Sequence, residues 1–257
     1  MRRLRYCAAH PLTGRYVTEG KMKHSENKHI KNLYPLVVEY LKSGLEGIVN
    51  EDETFHASEM QKYAHEVCSR VFEIDNAFES LELSIEYLKR TTFNDSDFDF
   101  TAHHAFHVEN FLLRLTSVVD RCYLLAGSAV MLANKTIERL GGNRKVVKEL
   151  ADVSPHALQI LKNLEKEIEP LRRLRNQVAH NNGYSNKNLI AVRFIEGSED
   201  DLKRKFSEIM SIEALKEIVI DDSVTLFEPM LSKTSELVTS LLNELAEVYT
   251  RLAAGNT

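Results

Sequence analysis

An all-α helical bundle with long antiparallel helices is the fold class this sequence predicts, on three observations. Glycine and proline number 10 and 5 among 257 residues, about half of the roughly 12% of average usage and too few for a turn-rich sandwich or barrel. Apolar residues recur at i, i+3, i+4 and i+7 across several long windows, the period of a helix with one buried face. Helix start signals stand directly ahead of some of these windows. The 43% hydrophobic content supplies a core.

Residues 1–25 show no period and contain His10-Pro11, Gly14 and Gly20, so they read as a weakly ordered N-terminal arm, with 26–257 as a single helical domain. From about 27 to 43, Ile30, Leu33, Val37, Val38 and Leu41 predict a helix that Gly44 stops. Asn50 to Glu53 is an acidic loop by composition. Ser58 and Gln61 fit a capping box, and the helix behind it runs to about Arg90 through Val67, Val71, Ile74, Phe78, Leu81, Ile85 and Leu88. Residues 93–97 break the pattern. The strongest helix follows over about 102–139, with Val108, Phe111, Leu112, Leu115, Val118, Val119, Cys122 and Leu125 on one face and Gly141-Gly142 as its end.

Ser154-Pro155 is a start signal, with serine as N-cap and proline in the first helical position. Leu158, Leu161 and Leu164 carry that helix, and Pro170 opens another short one that Asn182-Gly183 closes. Leu189 to Ile195 reads as a short strand from its β-branched and aromatic content. A final helix spans 224–253.

The formal net charge is −5 and the pI about 6.1, which argues against nucleic-acid binding through bulk charge but leaves room for a local basic site. No apolar run reaches the ~18 residues of a membrane span, and the basic amino terminus lacks the apolar segment of a signal peptide. Cys7, Cys68 and Cys122 have neither disulfide-type nor metal-type spacing, so a reduced cytoplasmic setting is expected.

One stretch carries chemistry: Arg172, Arg173, Leu174, Arg175, Asn176, Gln177, Val178, Ala179, His180. With the composition of this chain a bare Arg-x4-His arises by chance about 0.6 times, and requiring asparagine after arginine lowers that to about 0.04. A second bare copy, Arg5 to His10, lacks the asparagine and runs into Pro11. Imidazole titrates near neutrality and serves as base or acid, while guanidinium offers a planar fork matched to phosphate oxygens. Asn176 and His180 share a helix face, whereas Arg175 lies about 140° around an ideal helix from His180. One copy of the motif is therefore an incomplete site.

This pattern of arginine, a polar residue and a histidine in a helical chain resembles the HEPN superfamily, over about residues 55–255. The resemblance implies His180 as acid–base residue, Arg175 as phosphate binder and Asn176 as positioning group. It also implies a homodimer with two motifs facing one cleft, an RNA substrate, and a role as toxin or antiviral defence effector with an antitoxin or regulatory protein. No cofactor and no metal are expected. Arg172 and Arg173 add local positive charge for RNA or form a solvated basic face, and Tyr184 either stacks on a base or packs in its loop. Asp120, Arg121 and Arg114 line the cleft or simply face solvent. His103 and His107 have an i, i+4 spacing that can hold zinc, but they lack the intervening glutamate of a zinc helix and read as solvated histidines. The rival class is a non-catalytic nucleotide- or partner-binding module on the same fold. Retention of both Arg175 and His180 favours the enzyme.

Overall fold

The computed structural model describes residues 23–180 and 183–254, and the second Arg-x4-His copy, Cys7, Asn182 and most of the N-terminal arm lie outside them. The described chain is helical, with no strand. A short 3-10 turn at His24–Glu26 leads into α1 (Lys28–Lys31), α2 (Tyr34–Val49), α3 (Glu59–Leu88), α4 (Phe100–Ala129), α5 (Asn134–Ile137), α6 (Gly142–Val153), α7 (Pro155–His180), α8 (Lys187–Glu196), α9 (Asp200–Ser207) and α10 (Ile212–Ala254).

Four long helices make the bundle. α3 and α4 run antiparallel, since the Tyr63 hydroxyl donates to the Ala129 carbonyl at 2.9 Å near one end and Asn110 donates to Ser84 at 2.7 Å nearer the other. α10 runs antiparallel to α7: Ser154 donates to Glu244, while Asn188 just beyond α7 meets Asp222. It runs parallel to α4, as His104 bonds Ser223 and Phe111 stacks on Phe227 with ring centroids 4.2 Å apart. The topology is thus up-down-up-down. The core between the helices is built from Val67, Val71, Ile74, Leu81, Phe111, Leu115, Leu161, Leu164, Phe227, Leu241 and Leu245, all buried. Cys68 and Cys122 are free thiols within it, and burial pushes both up to about 12, so neither is a nucleophile.

The start signals form as read. Ser58 and Gln61 exchange both capping-box bonds, at 2.8 and 3.2 Å, and Ser154 accepts the Ala157 amide at 3.3 Å. Several stops do not. Gly44 lies inside α2, because it and Gly47 are the positions where Phe55 packs against the helix. The helix expected over 102–139 ends at Ala129, where the Leu132 amide bonds the Gly127 carbonyl and the Met131 amide that of Ser128. That is a Schellman motif whose left-handed residue, normally glycine, is Met131 at φ 60°. Gly142 opens α6 rather than ending a helix, and a Cβ there would lie 2.1 Å from the Ile137 carbonyl oxygen. Pro170 is interior to α7; both Pro170 and Lys166, to whose carbonyl it cannot donate, are exposed, so the interruption falls on the solvent side. Residues 189–195 belong to α8 rather than to a strand, with Leu189 and Val192 buried at i, i+3. α10 begins at Ile212, twelve residues before the expected start.

The turn at His24 is fixed to α3. Asp75 accepts the backbone amides of His24 and Ser25 at 2.8 and 3.0 Å and contacts the His24 ring at 3.2 Å. Burial alone would raise this carboxyl, but the bonds from His24 and Ser25 outweigh it and hold it below the ordinary carboxylate range. Asp75→Ala strands these buried donors and is expected to cost about 3 kcal/mol at neutral pH. A depressed pKa contributes stability above the unfolded value of about 4 and loses it as pH falls through the folded value. Urea unfolding of wild type and variant should therefore converge in acid, and a gap that persists unchanged at the lowest accessible pH would refute this assignment.

Candidate functional site

The core stripe of α7 runs Leu161, Leu164, Ile168, Leu171, a 3-4-3 spacing, and the next position in that series is Arg175. A guanidinium thus occupies a core register near the end of the bundle. Arg175 is half-buried, and its Nε is buried without a hydrogen-bond partner. Across from it on α4 stands Asp120. Packed surroundings raise the Asp120 carboxyl above its ordinary value, and the adjacent Glu165 adds to this, while Arg175 and Arg121 pull it down. The buried Tyr123 hydroxyl is held well above its ordinary range by burial and by Glu165. Together, α4 and α7 line up a mixed-charge group in which Asp120 is exposed, Arg175, Arg121 and Glu165 are half-buried and Tyr123 is buried.

Asn176 and His180 point the other way. Both are exposed, as are Arg172, Arg173 and Gln177, so the last two turns of α7 present a polar outer face. His180 is the final residue of the helix. Arg172 pairs with Glu169 at 3.1 Å, one turn earlier. The structure therefore brings Asn176 and His180 onto one face and sends Arg175 to another. Unbroken helix through 170–180 fixes the angle of about 140° between Arg175 and His180.

Gly183 takes φ +78°, and a Cβ there would approach Glu109 Oε1 to 2.7 Å. The Tyr184 amide donates to that same oxygen at 2.6 Å. Glu109 on α4 thereby ties down the Gly183–Tyr184 segment, and only glycine suits position 183. The Tyr184 ring packs against both apolar clusters of the protein, and Asn186 donates to its hydroxyl at 2.8 Å. Its surroundings are those of a packed loop tyrosine. On α4, Phe106 and Leu113 stay exposed on either side of Glu109, leaving an apolar strip beside the motif.

The histidine trio is packed rather than solvated. His103 stacks on Phe93 with centroids 3.8 Å apart, and His107 stacks on Tyr87 at 4.7 Å. His104 is buried against Ser223 at 3.0 Å, and burial, with a smaller push from His107, brings it down to about 4. Among the described residues no three His, Cys, Asp or Glu side chains group at metal-holding range, and no helix is long and apolar enough to cross a membrane. Asp120 was legible only as a polar position on a long helix. Glu165 and Tyr123 carried no signal, because they meet each other only where α4 packs on α7.

The model of one HEPN family matches residues 59–245, about three quarters of the chain. The match spans α3 to most of α10, including the whole Arg175–His180 motif, and leaves α1 and α2 outside. No curated protein and no solved structure matches the chain.

Proposed function

Because the chain belongs to the HEPN superfamily of helical domains, we propose that it is a metal-independent endoribonuclease acting as a homodimer, serving in the cytoplasm as a toxin or phage-defence effector. His180 is the acid–base residue, Arg175 holds the phosphate, and Asn176 orients the ring or a phosphate oxygen. The 2′-hydroxyl gives up its proton and its oxygen attacks phosphorus. The bond to the 5′-oxygen breaks and that oxygen takes a proton, leaving a 2′,3′-cyclic phosphate and a 5′-hydroxyl. Arg172 and Arg173, both exposed beside the motif, are the RNA-facing charges. An antitoxin or regulatory protein would restrain such an activity in its host.

The observation that carries this reading is Arg175 itself. Folding places a guanidinium in a core register and leaves its Nε unpaired, a cost that a phosphate oxygen bound to the rest of the fork would offset. The angle between Arg175 and His180 supports the dimer, since a twofold axis brings the same patch together from both chains. The exposed Phe106 and Leu113 supply apolar surface beside it. One observation favours the rival binding module: Asp120 stands across from Arg175 and competes with phosphate for it.

Incubating the purified protein with single-stranded RNA in EDTA separates these readings. Cleavage that persists in chelator, with cyclic phosphate and 5′-hydroxyl ends, is expected. Complete loss in EDTA with recovery on adding Mg or Zn would rule the mechanism out. RNA binding without cleavage at any pH would establish the binding module instead.

A further inference from the structure

Helix α2 has its amphipathicity reversed in its last two turns. Its inward side carries Gly44 and Gly47, where an added Cβ would meet Phe55 at 3.5 and 3.2 Å. Its outward side carries Val38, Leu41, Leu45, Ile48 and Val49, which are 47, 48, 63, 74 and 81% exposed. Single exposed apolar residues are ordinary, but a continuous stripe on one helix is not. Val38, Leu41, Leu45 and Ile48 follow the 3-4-3 spacing of a coiled-coil seam. The helix lies outside the matched residues 59–245, so the family match does not account for this surface.

The surrounding charge selects the kind of partner. Glu39, Lys42 and Glu46 flank the stripe, and Glu51, Asp52 and Glu53 follow it, all exposed. Helices that lie on membranes carry a lysine- and arginine-rich polar face, and this one is acidic overall. The natural cover is protein.

We propose that α2 is a homotypic interface, packing antiparallel against α2 of a second copy about a twofold axis. A 3-4-3 spacing reads the same in both directions. Antiparallel pairing therefore closes every layer, setting Val38 against Ile48 and Leu41 against Leu45, each twice, as an isologous contact requires. The same arrangement brings the acidic Glu51–Glu53 loop of one copy beside the start of α2 in the other. There the exposed Lys28 and Lys31 of α1 and the positive helix terminus offer the opposite charge. Five side chains this exposed leave several hundred Å² of apolar area per copy, so two copies approach the ~1,000 Å² total that a specific interface needs. This contact is separate from the motif face and does not rest on the ribonuclease reading.

Light scattering of the full chain on a sizing column tests it. Leu45→Glu combined with Ile48→Glu is expected to halve the mass seen for wild type, while the far-ultraviolet dichroism holds, because both positions are exposed in the single chain. A wild-type monomer at tens of micromolar, or an unchanged mass in the variant, would overturn the proposal. Cysteine pairs keep the test independent of that variant's folding. In a Cys7→Ser background, Leu41→Cys with Leu45→Cys is expected to cross-link between chains on mild oxidation, while Leu41→Cys alone stays uncross-linked. Cross-linking by the single variant would mean parallel pairing and refute this geometry. Pelleting of wild type, but not of the Glu variant, with anionic phospholipid vesicles would assign the stripe to lipid and overturn it as well.

Discussion

Mixed dimers that carry Arg175→Ala in one chain and His180→Ala in the other are expected to cleave RNA, although neither variant does so as a homodimer. The expectation follows from geometry on a single helix. Arg175 sits in the core register of α7 and turns towards α4, while His180 is exposed at the helix end, so one chain does not present both groups to one phosphate. If each centre draws its arginine from one chain and its histidine from the other, a mixed dimer has one whole centre and one with neither group. Up to half of the wild-type rate should return. Each homodimer should lose about 10²- to 10⁴-fold, the range for removing a general acid–base group or its electrostatic partner. Folding is not at stake in these variants: His180 is exposed, and Arg175→Ala removes a donor whose Nε is already unpaired. Co-purified mixed dimers assayed beside a sizing column decide the matter. Recovery of nothing, with RNA still bound, would mean that both groups come from one chain or that a site needs both copies of each, and a fully active monomer would end the composite-site idea.

Phe111→Ala is expected to cost about 3–5 kcal/mol of stability, a large share of the 5–15 kcal/mol that holds a typical domain together. Phe111 is fully buried, and its ring stacks on Phe227 at 4.2 Å where α4 and α10 meet. The loss combines transfer of the ring to water with the cavity it leaves, plus the ring–ring contact. Phe106→Ala, five residues earlier on the same helix and 63% exposed, should shift the urea midpoint by no more than about 0.5 kcal/mol. A loss below about 1 kcal/mol for Phe111→Ala would mean the bundle repacks around the gap.

The parts of this architecture that were legible in the sequence are those governed by local chemistry. The Ser58 capping box, the Ser154-Pro155 start and the apolar face of α4 each depend on residues within a few turns of one another, and each formed. Helix ends were harder. The end of α4 uses Met131 where glycine is the usual sign, and Gly44, the sign itself, lies inside a helix because Phe55 fills the space beside it. Pro170 leaves α7 intact because its missing bond falls on the solvent side. The β-branched run at 189–195 coils because Leu189 and Val192 find an apolar cluster with Phe100 and Val219 at helical, not strand, spacing. At the site, the identities Arg175, Asn176 and His180 could be read, and so could the angle between them. What faces them could not. Asp120 comes to face Arg175 only through packing of α4 against α7, and Glu109 comes to the Gly183–Tyr184 segment in the same way.

The unbroken course of α7 has a consequence for how this chain tolerates change over generations. A helix seated in a bundle behaves like a toothed wheel: inserting or deleting one residue turns everything beyond it by about 100° and slides it about 1.5 Å. Arg175 is the tooth after Leu171 in the series that begins at Leu161. The count of residues from Leu161 to Arg175 is therefore fixed by the core, whatever the demands of chemistry. Substitution on the outer rim at Arg172, Arg173 or Gln177 leaves the wheel in mesh. Loss of a single residue between Leu164 and Arg175 would swing Asn176 into the guanidinium's place and carry His180 round with it, silencing the motif without altering one of its letters.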